Sequence, residues 1–360
     1  MKEGIYLNKN YGFYIDGMWE ESQTKEVIKI MSPYKDELVG TVQAISKDEA
    51  DKAIQSAKIA QKEWEKLSIR DRGNYLYHWI EELEKSKEDI ATTIMQEVGK
   101  GFQDAVKEVE RTIDLIRFTI EEAIHLYGES MLGENFPGGN RSKIAISHRV
   151  PLGVVLAISP FNYPVNLSAA KIAPALISGN AVVFKPATQG AISGIKMIEA
   201  LDRAGLPKGV LNVVTGHGSV IGNYLIEHQG IDMISFTGGS DTGKRIAKLA
   251  NMIPLVMELG GKDPAIIVKD AEDKIISYEE KPKVPKGNLA VPPFYCYREE
   301  DVARIDEAIK AGCSTDAPGS FAAWLSHQTD VYAWTMSGKR HDIGDRASYD
   351  AVQEIMKNQA

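Results

Sequence analysis

The sequence predicts an α/β fold built on a parallel β-sheet. Three observations predict it. From residue 153 onward, short apolar runs alternate with stretches of helical period; the runs are VVLAIS (154–159), AVVF (181–184), LNVV (211–214), DMISF (232–236), LVME (255–258) and AIIV (265–268). The intervening helices are about 10–15 residues long, and Gly205 and Gly179-Asn180 stand where two of them stop. Polar residues gather just after the runs. Such alternation makes βαβ units, whose strands pair in parallel, and ligands of these sheets bind at the carboxyl ends of the strands.

The elements before residue 153 have their own signatures. YGFYIDGMWE (11–20) mixes aromatic residues with Gly17 and suits a short edge strand and turn. Ser46 followed by Glu49 is a capping box, and Ala50, Ile54, Ala57 and Trp64 recur at helical spacing, so a helix is predicted over 47–67. Two long helices are predicted over 70–99 and 102–126, the second striped by Ala105, Val109, Ile113, Ile116 and Ile120. SKIAISHRV (142–150) alternates like a hairpin arm. After Asp270 the texture changes: EEKPKVPKGNLAVPPFY is rich in proline and reads as loops and extended chain. VARIDEAIKAG (302–312) and FAAWL read as helices, VYAWTM as a strand, and ASYDAVQEIMK (347–357) as a closing helix.

Composition sets the outer limits. A chain of 360 residues is long enough for two domains, and 43% hydrophobic with 26% charged residues is ordinary for a soluble globular protein. A net charge of −8 argues against nucleic acid or an anionic membrane as a partner. No apolar run reaches the ~20 residues of a membrane span. MKEGIYLNKN has no apolar signal core, so the expected location is cytoplasmic. Cys296 and Cys313 are the only cysteines, which makes neither a disulfide framework nor a metal cluster.

Four places carry candidate chemistry. Asn162 in ISPFNYPVNL follows a predicted strand and precedes a helix, where a carboxamide can donate to a developing oxyanion; read alone it is more simply a turn asparagine. Lys185 in VVFKPATQG ends the second run, as a contact for a cofactor ribose or phosphate or as a solvated strand-end lysine. FTGGSDTG (236–243) is a glycine turn between strand and helix, able to hold a phosphate on backbone N–H groups. It nearly spells a P-loop, but Arg245 stands where a Mg²⁺-binding Ser or Thr is needed. Glu258 ends an apolar run before Leu259-Gly260-Gly261, a place expected to be desolvated and suited to a general base, or to a structural glutamate.

In this order and spacing, ISPFNYP, VVFKPATQG, FTGGSDTG and MELGGKDPA resemble the aldehyde dehydrogenase superfamily, in particular its NADP-dependent, non-phosphorylating glyceraldehyde-3-phosphate branch. The resemblance covers about residues 8–271, including EVERT (108–112) and EHQGIDMISFTGG. It implies a doubly wound, Rossmann-like cofactor domain over 1–271, an arm around 127–150 through which copies associate, and an aldehyde substrate. By the same resemblance Asn162 would be the oxyanion amide and Glu258 the base for the deacylating water. Ile158, Ser159, Pro160 and Leu259 would line the cofactor, Lys185 would meet its adenosine ribose, and Gly238-Gly239 its pyrophosphate. Arg111 and Tyr163 match positions of the substrate pocket in the phosphate-accepting branch. NAD-preferring relatives place a glutamate three residues after the lysine; Thr188 stands there, which favours NADP, with NAD as the alternative.

The family's nucleophile is a cysteine in a GQxC context, as far from the base as Pro292 is from Glu258, and GQxC occurs nowhere in this sequence. Cys296 in PPFYCYRE and Cys313 in KAGCSTD lack that setting. Cofactor binding without effective aldehyde oxidation is therefore expected. The segment 272–360 instead resembles, through IISYEEKPKVPKGNLAVPPFYCY, DAPGSFAAWL and GKRHDIGDRASY, the C-terminal half of a glucose-1-phosphate thymidylyltransferase-type sugar nucleotidyltransferase, a partial α/β segment. That resemblance implies Glu280 and Lys281 at a sugar phosphate and Asp342 on Mg²⁺. The nucleotide-binding GxGTRLxPxT loop of that family does not occur here. Two segments joined near Ala271–Lys274 are expected, with a transferase fragment or a non-catalytic chimeric product as the alternatives.

Overall fold

The computed structural model describes residues 10–260 apart from 36 and 127, the backbone of 265–269, 275–280 and 289–290, and residues 299–313 and 318–332. The chain divides at Gly260/Gly261 into two compact units. The expected junction at Ala271–Lys274 lies outside the described residues.

The first unit opens with β1 (Asn10–Tyr11), β2 (Phe13–Ile15) and β3 (Met18–Glu20). Asp16 and Gly17 both take positive φ, 51° and 77°. That is the turn geometry whose twist closes a two-residue hairpin, so β2 and β3 pair antiparallel. Next come β4 (Val27–Met31) and β5 (Leu38–Gln43), then the helices α1 (Lys47–Trp64), α2 (Ile69–Val98) and α3 (Phe102–Ala123). The capping box of α1 is complete: Ser46 Oγ accepts Glu49 N at 3.2 Å, and Ser46 N donates to Glu49 Oε2 at 2.7 Å. Gly99 at φ 73° ends α2, and the predicted stripe on α3 is buried throughout.

A hairpin follows, β6 (Ser130–Leu132) against β7 (Ile144–Ile146), its strands largely exposed. The alternating part then runs β8 (Val154–Ile158), α4 (Asn166–Ile177), β9 (Ala181–Lys185), α5 (Ala191–Arg203), β10 (Leu211–Val213), α6 (Gly218–Glu227), β11 (Met233–Thr237), α7 (Ser240–Leu249) and β12 (Leu255–Glu258). The sheet order is β12-β11-β8-β9-β10-β2-β3, parallel from β12 to β10, with the β2–β3 hairpin as its antiparallel border.

Alternate residues of each strand bury into different cores. Val155 and Ala157 of β8 join α2–α5, whereas Val154 and Leu156 join α1, α6 and α7. The sheet is therefore doubly wound, as expected. The chain builds outward from β8 through β9 and β10, then returns to lay β11 and β12 on the other side. The order reverses between β8 and β11, and sheets of this kind bind ligands at the carboxyl ends on either side of such a reversal. Long-range ties fix the layers: Trp64 Nε1 donates to Leu176 O at 2.9 Å and Trp79 Nε1 to Met197 O at 3.1 Å. Burying each indole, with its N–H satisfied, removes one of the largest apolar surfaces from water.

In the second unit β13 (Ala265–Lys269) pairs antiparallel with β14 (Ile275–Glu280) and with β15 (Leu289–Ala290). AIIV is thus a strand, but not of the parallel sheet. Parallel pairing needs a long crossover, and only the span 270–274 separates β13 from β14. The helix expected over 302–312 is two short ones, α8 (Glu299–Val302) and α9 (Ile305–Lys310); α10 (Pro318–Ser326) contains FAAWL. Most of VYAWTM and all of ASYDAVQEIMK lie outside the described residues. No helix among the described residues is long and apolar enough to cross a membrane.

Candidate functional site

Most of the residues singled out from the sequence lie at or just after the carboxyl ends of β8, β9, β11 and β12. Ile158 ends β8 half-buried, and buried Ser159 follows, its Oγ accepting from Ser168 Oγ at 2.8 Å. Pro160 leads to Asn162, which is exposed; its Oδ1 accepts Tyr163 N at 3.1 Å, leaving the amide NH₂ as a donor. The half-buried Tyr163 ring lies under Lys100, whose Nζ is 3.5 Å from the ring centroid. Arg111 is exposed on α3, next to buried Thr112, which accepts Asn166 Nδ2 at 3.3 Å.

Lys185 ends β9 with only 5% of its surface exposed, and its Nζ donates to Pro186 O at 3.3 Å. Burial pushes this ammonium down to about 8. Thr188 is half-buried in the turn that follows. After β11, Gly238 N donates to Glu258 O at 3.1 Å, and a Cβ there would come within 2.6 Å of the Phe236 ring. Gly239 caps α7, and nothing lies within 4 Å of where its Cβ would stand. Leu259 closes over Gly243, where a Cβ would approach Leu259 Cδ2 to 2.4 Å.

Glu258 corrects the sequence reading. A desolvated carboxylate was expected, but Glu258 is exposed. The cause is its strand: β12 is an edge of the sheet, its residues alternating between half-buried and exposed.

The helix N-termini at this end of the sheet differ. On α4, Val165 N and Asn166 N donate to Glu108 Oε1 at 2.9 and 3.2 Å, and Glu108 Oε2 pairs with Lys100 at 2.6 Å. On α5, Ile192 N and Ser193 N donate to Glu97 at 3.0 and 2.8 Å. Burial pushes the Glu97 carboxyl up to about 7. Protein carboxylates already occupy these two helix dipoles; α7 has no side-chain cap and keeps its N–H groups available to an anion.

Sequence reasoning missed Glu97, Glu108 and Lys171. Lys171 Nζ donates to Thr237 Oγ1 at 2.6 Å; burial lowers its affinity for a proton and the charge of Glu258 partly restores it. Its signal was a single charge in the small, apolar helix NLSAAKIAPALI. Glu108 stood within EVERT without an assigned role.

The second unit adds less. Cys313 is half-buried after α9. Glu280 ends β14, its side chain outside the described residues, as are Lys281, Pro292, Cys296 and Asp342. Among the described residues no group of His, Cys, Asp and Glu is arranged to hold a metal.

The family model described as "Aldehyde dehydrogenase family" matches residues 19–278. This chain belongs to the aldehyde dehydrogenase family. Among curated aldehyde dehydrogenase relatives, the NADP-dependent glyceraldehyde-3-phosphate dehydrogenase of Streptococcus equinus is 48% identical over 266 residues, covering 74% of this chain and 56% of the relative. The protein of the same name from Triticum aestivum is 45% identical over 269 residues, covering 74% and 54%. A crystal structure of NADP-dependent glyceraldehyde-3-phosphate dehydrogenase from Bacillus halodurans C-125, complexed with NADP, superposes with a TM-score of 0.71 at 56% identity, covering 73% of this chain and 56% of that one. The chain spans about half the length of the curated relatives it matches.

Proposed function

We propose that the first unit binds NADP in the manner of an aldehyde dehydrogenase and carries half of the apparatus for oxidising an aldehyde, glyceraldehyde 3-phosphate being the favoured candidate. One observation carries the reading: at the switch point of a doubly wound sheet, the uncapped N-terminus of α7 and the buried cation of Lys185 lie at the ends of strands flanking β8. The open space at Gly239 lets a pyrophosphate approach backbone N–H groups. Lys185 would hold the adenosine ribose, and Thr188 puts no carboxylate against a 2′-phosphate. Ile158, Ser159, Pro160 and Leu259 would flank the cofactor. The names of the relatives and the NADP complex of the similar structure support the same cofactor. Bound NADP would accept hydride.

On the substrate side, Asn162 would donate its NH₂ to an oxyanion, and Glu258, reached by water, would take a proton from the hydrolytic water. Arg111 and Tyr163 would line the phosphate end of the substrate. The thiol is the missing part: no GQxC occurs in the sequence. Loss of a nucleophile costs on the order of 10⁶ in rate, so binding without effective turnover is the proposed state. Titration with NADPH, followed by nicotinamide fluorescence, tests the binding. Saturation is expected; no saturable change below ~1 mM overturns the reading. An acyl-thioester on the chain, seen by mass spectrometry after incubation with aldehyde and NADP, would overturn the impaired turnover.

A second reading concerns 272–360, where the family match stops at residue 278 and 82 residues follow. Here the order of sequence motifs supports a segment of sugar nucleotidyltransferase type, with Glu280 and Lys281 toward a sugar phosphate and Asp342 toward Mg²⁺; a non-catalytic chimeric product is its alternative. Pyrophosphate release from dTTP or UTP with glucose 1-phosphate and Mg²⁺, abolished by Asp342→Ala, would support transfer. No release under those conditions would leave the non-catalytic alternative.

A further inference from the structure

The turn from Pro186 to Gly190, between β9 and α5, carries Thr188 and is tied to α2 by one residue in two ways. Gln189 Nε2 donates to the main-chain carbonyl of Glu97, and also to Met31 O at 3.1 Å. The Glu97 side chain, 0% exposed, accepts Ile192 N and Ser193 N and the Ser193 hydroxyl at the start of α5. Glu97 thus grips the segment on both sides of Gly190. Gly190 takes φ 94°, and its Cβ position lies 3.1 Å from Pro164 Cβ, so the held turn also abuts the loop after β8.

Economy does not explain this arrangement. A helix is ordinarily capped by a Ser, Thr, Asp or Asn at its own N-cap, where the side chain stays near water. Here the N-cap is Gly190, without a side chain, and the acceptor comes from the end of α2. Withdrawing a carboxylate wholly from water is costly before its hydrogen bonds offset that. What the distant cap supplies is register: it fixes where α5 begins, and hence where the five residues after Lys185 run.

We propose that Glu97 is a positioning residue for the cofactor, latching the 186–190 turn so that Thr188 is held for the 2′-phosphate end of NADP. The proposal rests on the NADP-binding reading above and deepens it. Glu97 itself touches no cofactor; it acts through Gln189, Ile192 and Ser193.

The test compares NADPH with NADH, which share every group except that phosphate. Affinities of both would be measured on the full chain by nicotinamide fluorescence for the wild type, Glu97→Ala, Glu97→Gln and Gln189→Ala. Glu97→Ala and Gln189→Ala are expected to weaken NADPH roughly 10-fold and NADH by less than about 3-fold, the scale of a misplaced contact. Glu97→Gln keeps an acceptor oxygen and is expected to recover part of the preference. Without any cofactor, hydrogen exchange at the Ile192 and Ser193 amides should accelerate in Glu97→Ala. Should Glu97→Ala not fold, Gln189→Ala cuts the second tie without orphaning a buried helix end. Equal losses for both nucleotides, or unchanged preference in Gln189→Ala and Glu97→Ala, would overturn the latch alone. A wild-type chain that binds neither nucleotide would overturn the cofactor reading, and the latch with it.

Discussion

Lys171 on α4 and Thr237 at the end of β11 are joined by a hydrogen bond of 2.6 Å, with the charge of Glu258 acting on the same ammonium. The pair binds α4, the helix that follows Asn162, to β11, the strand that leads into Gly238-Gly239. Removing Lys171 by substitution with Ala leaves the Thr237 hydroxyl without this partner and unties α4 from β11. A loss of about 1–3 kcal/mol in urea-induced unfolding is expected. Lys171→Met keeps the aliphatic stem and should lose less. Equal stability of Lys171→Ala and the wild type would show the bond to be incidental.

The buried carboxyl of Glu97 makes stability depend on pH. Its folded value of about 7 lies above the ordinary glutamate value of 4.5, because burial opposes the charge more than Ser193, Ile192 and Lys196 favour it. Between these values the native chain binds more protons than the unfolded one, so stability is fullest below about 4.5 and falls as pH rises through 7. The charge that acts on it is Lys196, itself paired with Asp89 at 2.8 Å, and Glu97 in turn helps hold the Tyr11 phenol protonated. The whole window is worth roughly 3 kcal/mol. Glu97→Gln should flatten that slope between pH 5 and 7 in denaturant titrations; an unchanged slope would assign it to other groups.

Lys185 gives the opposite sign and a different readout. Its folded value of about 8 lies below the 10.5 of the unfolded chain. Between 8 and 10.5 the unfolded chain binds more protons, so stability contributed by this site rises with pH, and below 8 the buried charge is a cost. An anionic nucleotide beside Lys185 favours its charged form. NADPH affinity is therefore expected to fall as pH rises through 8, by up to about 10-fold per unit. Lys185→Met should bind more weakly at pH 7 and show no such fall. A flat profile in the wild type would place the phosphates away from this amine.

These groups show why the site was only partly legible. The strands and their polar ends were readable because apolar runs, glycine stops and turn residues act within a few positions, as at Asp16-Gly17. Asn162, Lys185 and Gly238-Gly239 could be singled out because each lies at the end of its strand or within four residues after it. Glu97 and Glu108 accept from amides at helix starts 95 and 57 residues later, a pairing that packing creates and no local pattern announces. The exposure of Glu258 depends on β12 being an edge, and the antiparallel pairing of β13 on the short span after it. Both are properties of strand order, which an apolar run does not encode.

The β6–β7 arm leads to the last expectation. It is a hairpin of two three-residue strands, a unit marginal by itself in water, and its edges are unpaired among the described residues. Ile144 is 61% exposed and Ile146 65%, with Val150 and Leu152 exposed further along. β-branched residues on an open strand favour pairing with another chain, and a second copy would supply a matching edge. Sedimentation velocity should show dimers or larger species whose share grows with concentration. Ile144→Lys with Ile146→Lys places charge on that edge and should shift the population to monomer while leaving NADPH binding intact, since both residues belong to the two-stranded sheet and not to the seven-stranded one. A wild type that stays monomeric at all accessible concentrations would remove the arm as an interface.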